Sequence, residues 1–436
     1  MKAIQVGLLG LGTVGSGTFE VLKRNQDEIQ RRLGKPLVIS MVADLDTAKA
    51  KSMVGADCQV VADARQVIAN PEIDIVIELI GGYGIALELV LSAIEAGKHV
   101  VTANKALLAL HGNEIFAAAQ RKGVMVGFEA AVAGGIPIIK SLREGLSANR
   151  IEWLAGIING TTNFILTEMR EKGLSFEVAL KQAQELGYAE ADPTFDIQGI
   201  DAAHKVSIMA AIAFGIPMPF AKAYVEGITQ LQAQDIEFAK QLGYRIKLLG
   251  IAKKTPHGIE LRVHPSLVSE KSLIANVEGA MNAVMVKADA VGTTLYYGKG
   301  AGGEPTASAV IADLIDIARL SSADITNRVP YLAYQPQAIQ DLPVLSIDDI
   351  ETCYYMRLGV ADQAGVLANV TGVLADFDIS IDAMLQQPAS QGHEQTELII
   401  LTHAAKESVM NAAIQKIQTL PTVLMPVVRI RKEDLS

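Results

Sequence analysis

The first fifteen residues constrain the fold more than any other part of the chain. An apolar run, Ala3 to Leu9, leads directly into the turn Gly10-Leu11-Gly12-Thr13-Val14-Gly15, and a helical pattern continues from Val14 to about Leu33. In such a turn Gly10 permits a tight bend, Gly12 lets the backbone approach a pyrophosphate, and Gly15 lets the helix pack close to the sheet. The position of the motif between a strand and a helix predicts a nucleotide-binding Rossmann unit rather than a purely structural glycine turn.

Further strands and helices alternate after this turn. Strands are predicted at 37–43, 73–80, 98–102 and 123–129, separated by helical stretches. This alternation predicts an α/β fold with an N-terminal Rossmann-type parallel sheet, in which ligands bind at the carboxyl ends of the strands. Residues that follow those strands should therefore line the cofactor cleft, namely Ile80, Gly81, Asn104 and Lys105.

Asp44 follows the second predicted strand, where a carboxylate can bind the adenine ribose hydroxyls of NAD. No arginine adjoins it to hold the 2′-phosphate of NADP, although Lys49 and Lys51 follow soon after. The pattern favours NAD and leaves use of both cofactors open.

An acid-rich segment with one lysine lies in the middle of the chain. Glu190, Asp192, Asp196, Asp201 and Lys205 fall within sixteen residues. Asp201 and Lys205 are four apart, so on a helix they share a face, and a lysine held beside acids is a candidate proton donor. An ordinary capped helix entry with structural ion pairs would also produce this pattern. These residues alone leave both interpretations open.

Two loops near this segment are candidate ligand sites. The glycine-bearing loop 130–137 resembles loops that turn backbone carbonyls toward a hard cation or a ligand, but a plain strand-to-helix connection has the same composition. The polar cluster 159–163 follows a predicted strand at 151–158 and offers hydroxyl groups and backbone donors to a small polar substrate.

Composition excludes several functional classes. The 436 residues predict two or three domains, and a net charge of -10 without a basic run gives no support to nucleic-acid binding. Cys58 and Cys353 match no metal or redox spacing, which favours a reducing compartment. Neither a signal peptide nor a membrane-spanning stretch is recognisable, so a soluble cytoplasmic protein is expected, without nucleic-acid or membrane partners.

The second half of the chain is predicted to hold more sheet and a separate tail. From 250 to 287, strands alternate with turns at Pro256 and at His264-Pro265, and the broad face of this sheet could pair with another subunit. A turn at 298–303 and a helix at 306–320 then return to the nucleotide domain. The predicted organisation is a dinucleotide-binding domain at 1–130, completed by about 300–320, a substrate domain at 131–300, a linker at 321–348 and a regulatory domain at 349–436.

The tail shows the order strand, helix, strand, strand, helix, strand, which predicts a ferredoxin-like fold. With Asp362-Gln-Ala-Gly365-Val-Leu opening its first helix, it is similar to an ACT domain, a module that binds amino acids and usually pairs with a copy of itself. The candidate effector residues are Asp362, Gly365, Val366 and Asn369. A dimerisation domain without a ligand remains the alternative.

Six motifs between residues 10 and 310 resemble those of the monofunctional homoserine dehydrogenase family, and the resemblance extends over about 430 residues. They are GLGTVG at 10–15, TANKALLA at 102–109, FEAAVAGGIPII at 128–139, GIINGTTNFI at 156–165, GYAEADPTFDIQGIDAAHK at 187–205 and GKGAGGEPTASAV at 298–310. The resemblance implies reversible NAD(P)H-dependent reduction of L-aspartate 4-semialdehyde to L-homoserine. It also implies control by an amino acid, with L-threonine the expected effector, and a homodimer or homotetramer.

The resemblance also implies roles for particular residues. Lys205 would donate the proton to the aldehyde oxygen, and Lys105 would lie between nicotinamide and substrate. Asp201, together with Glu190 and Asp196, would hold the substrate's amino group and hydroxyl. The substrate would contact Gly160, Thr161, Gly187, Tyr188, Glu190 and Asp196. Gly302 would approach the cofactor, and a monovalent cation, usually sodium, would bind Glu129 and the backbone carbonyls of Val132, Gly134 and Ile136.

Two other functions remain open at this point. A catalytically silent sensor would bind nucleotide and amino acid without chemistry, but it would not need the lysines and acids of the central segment. Another oxidoreductase, such as an aspartate-semialdehyde dehydrogenase, would need a nucleophilic cysteine, and neither cysteine lies near that segment in sequence.

Overall fold

The computed structural model describes residues 3–386 and 395–435. The chain forms two compact units, each built from several segments. The first comprises residues 1–160, 201–223 and 280–342, and the second comprises 161–200, 224–279 and 343–436.

The first stretch of the chain alternates strands and helices. Its strands are β1 (Ile4–Leu9), β2 (Leu37–Ala43), β3 (Gln59–Val61), β4 (Ile75–Glu78), β5 (His99–Thr102) and β6 (Val126–Gly127). Its helices are α1 (Thr13–Arg24), α2 (Gln26–Leu33), α3 (Thr47–Val54), α4 (Ala64–Ala69), α5 (Gly84–Glu95) and α6 (Lys105–Lys122).

The middle of the chain is mostly helical before it turns to long strands. Its helices are α7 (Ile138–Lys140), α8 (Gly160–Lys172), α9 (Phe176–Glu185), α10 (Thr194–Ile197), α11 (Ile200–Phe214), α12 (Ala233–Gln241) and α13 (Gly303–Leu320). Its strands are β7 (Ile151–Ile157), β8 (Tyr224–Val225), β9 (Tyr244–Thr255), β10 (Gly258–Ser269), β11 (Met281–Ala288) and β12 (Gly292–Lys299).

The C-terminal part returns to short alternating elements. They are β13 (Glu351–Ala361), α14 (Val366–Asp376), β14 (Ile381–Gln386), β15 (Gln395–Thr402), β16 (Ala405–Lys406), α15 (Glu407–Gln418) and β17 (Val428–Glu433).

Within the first unit, β1 to β6 form a parallel sheet in the order β3-β2-β1-β4-β5-β6. This is the strand order of a dinucleotide-binding Rossmann sheet, so the predicted α/β class is confirmed. β1, β4 and β5 are mostly apolar and largely buried, as expected for strands covered by helices on both faces. Their carboxyl ends carry the loops that hold most of the candidate cofactor residues.

Two local predictions in this unit differ from the structure. The helix expected from Val14 to Leu33 is broken at Asn25, a poor helix former, after which α2 begins with acids in its first turn. The strand expected at 123–129 is reduced to β6. Gly123 ends α6 in a left-handed conformation, and the Asp313 carboxylate accepts the Glu129 N–H (2.8 Å) where the chain turns into a 3-10 segment.

The same unit contains an antiparallel set in which β11 pairs with β7 on one side and β12 on the other. Helix α11 is buried along almost its whole length, and its C-terminal end contacts the segment that follows α13. There Tyr334 Oη donates to Ala213 O (3.2 Å), and the Gln340 N–H donates to Gly215 O (2.9 Å).

The second unit is built on the long antiparallel hairpin of β9 and β10. The turn expected at His264-Pro265 is wrong, since both residues lie inside β10, opposite Leu249 and Leu248. Pro265 is tolerated because it lies between the part of β10 that pairs with β8 and the part that pairs with β17, where no partner strand needs its missing N–H.

Residues 351–386 and 395–433 form the predicted ferredoxin-like domain, with strand order β17-β13-β15-β14 and with α14 and α15 packed on an apolar core. Inside the second unit its last strand, β17, continues the sheet by pairing in parallel with β10. Among the described residues, no helix is both long and apolar enough to cross a bilayer.

Candidate active site

The glycine turn after β1 has the geometry that the sequence predicts. Gly10 has φ 91°, which favours glycine, and a Cβ on Gly15 would lie 2.1 Å from Gly10 O, so only glycine lets α1 start this close to the turn. A Cβ on Gly12 would meet nothing within 4 Å, so the backbone there faces open space. The N–H groups at the start of α1 are therefore accessible to an anionic group.

Asp44 lies beside the same turn. Its Oδ2 accepts the Leu11 N–H at 2.7 Å, and its Oδ1 accepts the Asp46 N–H at 2.9 Å. The carboxylate is thus fixed at the edge of the glycine turn, the position where a Rossmann acid binds ribose hydroxyls.

A buried glutamate that the sequence analysis did not single out organises the neighbouring loops. Glu78, fully buried at the end of β4, accepts the N–H groups of Ile80 (2.9 Å) and Gly81 (3.2 Å), and its other oxygen accepts the Thr102 hydroxyl (2.7 Å). A carboxylate at the last position of a buried strand was the available signal. Its effect is to join the loops after β4 and β5.

Asn104 continues this arrangement at the start of α6. Its Oδ1 accepts the Leu107 N–H (3.0 Å) as the N-cap, and its Nδ2 donates to Gly82 O (2.5 Å). Gly302, with φ 125°, caps α13. A Cβ on the following residue, Gly303, would lie 3.0 Å from Thr13 O. The start of α13 therefore lies against the glycine turn, near the predicted cofactor position.

The central cluster of the first unit is Asp201 with two lysines. The Lys205 ammonium donates to Asp201 Oδ2 at 2.7 Å, one helical turn away on α11, as predicted. The Lys105 ammonium, from the start of α6, lies 2.9 Å from Asp201 Oδ1. Lys205 also donates to Ile158 O (2.7 Å), and Asn159 Nδ2 donates to Asp201 Oδ2 (2.9 Å). One carboxylate thus holds two ammonium groups that the sequence separates by a hundred residues.

The electrostatics of this cluster favour a charged carboxylate. Asp201 is only 2% exposed, and burial alone would raise the pKa of its carboxyl. The charges of Lys205 and Lys105 and the bonds from Lys205 and Asn159 outweigh burial, so the pKa lies well below its ordinary value. The cluster therefore carries a net positive charge, located on Lys105, which is partly exposed, and Lys205, which is almost buried.

The neighbouring histidine is not a competing acid. Burial, assisted by Lys105 and Lys205 and opposed by Asp201, lowers the pKa of His204 to about 4. Its ring packs edge-on against Phe220 at 4.3 Å between centroids. His204 is therefore a neutral packing residue near pH 7.

Several substrate candidates lie together in the second unit. The Thr161 hydroxyl, in the first turn of α8, donates to Tyr188 O (2.5 Å) and to Asp196 Oδ2 (3.2 Å). The Tyr188 ring lies 4.9 Å from the Phe164 ring and is 47% exposed. Glu190 is exposed, and Gly187 has φ 74°. Asp192 caps the segment through the Thr194 N–H (3.1 Å), so part of the acid-rich segment is an ordinary helix entry.

The loop expected to bind a cation begins at a buried acid of the first unit. Glu129 is 4% exposed, and its two oxygens accept the N–H groups of Ile139 (2.9 Å) and Lys140 (2.7 Å) at the start of α7. Burial raises the pKa of its carboxyl to about 7, against those two hydrogen bonds and the charges of Arg143 and Lys140. Across residues 3–386 and 395–435 no group of three or more His, Cys, Asp or Glu side chains is arranged to hold a metal, so any cation here would depend on backbone carbonyls.

The two cysteines do not form a thiol active site. Cys58 is buried among the apolar residues of the first unit, where burial raises its pKa to about 11, and Cys353 lies in β13. At the predicted effector position, Gly365 has φ 90° and caps α14, with Val366 buried and Asp362 exposed.

Comparisons with known proteins identify the family. The homoserine dehydrogenase profile matches residues 137–315, the NAD-binding domain profile of the same family matches 10–129, and the ACT profile matches 354–422. Curated homoserine dehydrogenases from Pseudomonas aeruginosa and Neisseria gonorrhoeae are 58% and 55% identical over 436 and 435 residues, covering 100% of each chain. The chain belongs to the homoserine dehydrogenase family.

A solved structure supports the same assignment. The homoserine dehydrogenase of Thiobacillus denitrificans is 61% identical and superposes with a TM-score of 0.95, over 100% of this chain and 99% of that one. The predicted family, the nicotinamide-dependent oxidoreductase class and the C-terminal ACT domain are thus confirmed.

Proposed function

We propose that the chain catalyses reversible NAD(P)H-dependent reduction of L-aspartate 4-semialdehyde to L-homoserine, with Lys205 as the proton donor. The observation that carries the proposal is Asp201, a buried carboxylate that orients two ammonium groups in the unit that holds the Rossmann sheet. A bound nicotinamide supplies the hydride, chemistry that side chains do not provide.

The side chains of the chain donate the proton and stabilise the charge that develops during the reaction. Lys205 donates a proton to the aldehyde oxygen during reduction, and Asp201 keeps its ammonium group oriented for that transfer. Lys105 would lie between a bound nicotinamide and the substrate, where its positive charge would stabilise the developing alkoxide. A sensor without chemistry would have no use for this arrangement.

The substrate contacts follow from the second cluster and from the family resemblance. We propose that Glu190 and Asp196 bind the amino group and the hydroxyl of homoserine, and that Tyr188, Gly187, Gly160 and Thr161 complete the pocket. The bond from Thr161 to Asp196 supports this, because it fixes one carboxylate oxygen of Asp196 and leaves the side chain oriented.

We propose NAD as the preferred cofactor. The Asp44 carboxylate is held against the Leu11 N–H, where it suits two ribose hydroxyls and repels a 2′-phosphate. The glycine turn 10–15, together with Ile80, Gly81, Asn104 and Gly302, forms the remainder of the proposed cofactor site.

We further propose that a monovalent cation, sodium by family resemblance, binds at Glu129 and the backbone carbonyls of Val132, Gly134 and Ile136. The residues fit such an ion. Burial disfavours the charged form of the Glu129 carboxyl, and a nearby positive charge would stabilise that form. Ala133 (φ 55°) and Gly134 (φ 48°) also turn the backbone sharply in this loop.

We also propose regulation by an amino acid, with L-threonine as the first candidate. Asp362, Gly365, Val366 and Asn369 would form the effector site. Contacts within the second unit connect this domain to the acid-rich segment. Arg431, 1% exposed in β17, donates to Glu226 Oε2 (2.8 Å).

The residues that follow Glu226 then contact the chain beside Asp196. The Ile228 N–H donates to Ile197 O (2.9 Å), and a Cβ on Gly227 would lie 2.2 Å from that same oxygen. A shift of β17 could therefore reach the substrate residues through the contacts of Glu226 and Ile228.

The domain division predicted above is part of the same proposal: cofactor binding at 1–130 with 300–320, substrate binding at 131–300, and regulation at 349–436 beyond the linker. A homodimer or homotetramer in the cytoplasm is proposed with it. Light scattering coupled to size-exclusion chromatography determines the assembly, and a monomeric mass would refute that part.

The activity test is cofactor reduction with L-homoserine, followed by absorbance with NAD and with NADP, each with and without L-threonine. The proposal predicts turnover with homoserine, a higher kcat/KM with NAD, and inhibition by threonine. If neither cofactor is reduced, the proposed reaction is wrong.

A further inference from the structure

A buried lysine outside the proposed catalytic cluster is bound to the first turn of α8. Lys247, in β9, is 2% exposed. Its ammonium donates to Val277 O at 2.6 Å and to Asn163 Oδ1 at 3.1 Å, with Glu278 Oε2 at 3.6 Å. All of these residues belong to the second unit. Lys247 is not among the residues proposed to bind the cofactor, the substrate or the cation.

Asn163 connects this lysine to the substrate residues. Its side chain is 1% exposed, and its Nδ2 donates to the same carbonyl, Val277 O, at 3.1 Å. Two residues earlier, Thr161 donates to Tyr188 O and to Asp196 Oδ2. The first turn of α8 is therefore fixed on one side by Lys247 and Val277, and it holds Asp196 and Tyr188 on the other.

Glu278 has other partners besides Lys247. Arg245 Nη1 lies 2.5 Å from its Oε1, Arg170 Nη2 lies 3.0 Å from its Oε2, and the Thr167 hydroxyl donates to Oε2 at 3.1 Å. The charge of Glu278 is thus balanced by two arginines. Removing the Lys247 ammonium does not leave a buried carboxylate without a cation.

From these contacts we propose that Lys247 is a positioning residue for homoserine binding. It sets the orientation of the first turn of α8, so that Thr161 presents Asp196 to the substrate. The inference rests on the proposed function, since it assigns Asp196 and Thr161 to the substrate pocket. It adds a residue that contacts no substrate itself.

The surroundings of Lys247 disfavour its charge. Burial lowers the pKa of the Lys247 ammonium to about 8. The charge of Glu278 opposes this shift, and the charges of Arg170 and Arg245 add to it. A buried charge that its surroundings disfavour can often be replaced by an apolar side chain of similar size without loss of stability. A purely structural residue and a positioning residue therefore predict different results for Lys247→Met.

The test compares Lys247→Met with Lys253→Met in steady-state kinetics of the full-length enzyme. Lys253 lies in the same strand, is exposed, and has its Nζ 3.9 Å from Glu260, so it controls for loss of a lysine from β9. For Lys247→Met, KM for L-homoserine should rise about ten-fold, the effect of losing one well-placed polar contact. The kcat and the KM for the cofactor should stay within about three-fold, because neither depends on α8 in this account. Lys253→Met should change none of the three.

A second variant keeps the inference testable if Lys247→Met folds poorly. Asn163→Ala breaks the same link from the other side, so it should raise KM for homoserine similarly, and the double variant should be no worse than either single one. An unchanged KM for homoserine in a folded Lys247→Met or Asn163→Ala enzyme would overturn the inference while leaving the proposed reaction intact. Absence of any homoserine turnover in the unmodified enzyme would instead refute the proposed reaction, and this inference with it.

Discussion

Replacement of Asp201 by asparagine separates the role of its charge from that of its shape. The carboxylate is fully buried and contacts Lys205 at 2.7 Å, Lys105 at 2.9 Å and Asn159 at 2.9 Å. Asparagine keeps the size of the side chain and one acceptor oxygen. It removes the negative charge that holds the two ammonium groups in place.

The magnitude follows from the charges. Two unit charges about 4 Å apart attract by about 4 kcal/mol at an effective dielectric constant of about 20. If the transition state depends on one oriented ammonium, losing most of that attraction lowers kcat/KM by roughly 10² to 10³. The remaining amide oxygen still accepts a hydrogen bond, so the loss should be smaller than the full attraction of about 4 kcal/mol.

The assay is reduction of NAD or NADP by L-homoserine, with cofactor affinity measured separately by fluorescence. Asp235→Asn is the matched control, because Asp235 is also fully buried and lies 2.6 Å from the Arg357 guanidinium in the second unit. Both variants should lose stability in chemical denaturation, since each removes the nearest negative charge from a buried cation. Only Asp201→Asn should lose turnover per folded molecule. Equal turnover in the two variants would refute the reasoning.

Three further predictions concern regulation, pH and the cation. Glu226→Gln should leave basal turnover within about two-fold and abolish most of the inhibition by L-threonine in a dose-response assay. The reason is that the ion pair between Glu226 and Arg431 is lost while Arg431 keeps its contacts with Glu407. Full inhibition would contradict the proposed route. Burial lowers the pKa of His99 to about 4; the charge of Arg328 lowers it further and that of Asp74 opposes the shift. Between pH 4 and 6.5 the folded protein therefore binds fewer protons than the unfolded chain. The free energy of unfolding should fall as pH falls through that window. His99→Asn should flatten this fall by about 1–2 kcal/mol in urea titrations at pH 7 and 5, whereas His257→Asn, at an exposed turn, should not. Tm should be higher in sodium chloride than in choline chloride, because at a hundred-fold excess of sodium over its Kd the bound ion would stabilise the fold by about 2.7 kcal/mol. Glu129→Gln should remove this difference in Tm. An equal response in the variant would exclude Glu129 as a ligand.

Local patterns in the sequence predicted the parts of the site that depend on neighbouring residues. The glycine turn after β1 and the contact between Asp201 and Lys205 are set by spacing along a strand-turn-helix unit and along one helix. The ferredoxin-like order of the tail was also recognisable, because each element has its own hydrophobic period.

Contacts between distant segments were not available from spacing. Lys105 reaches Asp201 only because α6 and α11 are brought together by the fold, and Glu78 acts on loops that follow two different strands. The position of Lys105 after a predicted strand placed it at the cofactor cleft, but not beside Asp201. The only signal for Glu78 was a carboxylate at the end of a buried strand, and it was not recognised. The turn expected at His264-Pro265 was wrong for a related reason, since its place inside β10 depends on which strands pair beside it.

The role of Lys205 as proton donor is tested most directly by Lys205→Ala, with turnover and cofactor affinity measured on the same preparation. The account predicts that turnover with L-homoserine falls by about 10² to 10⁴ while the dissociation constant of the cofactor stays within about three-fold. A variant that turns over homoserine at close to the original rate would contradict it.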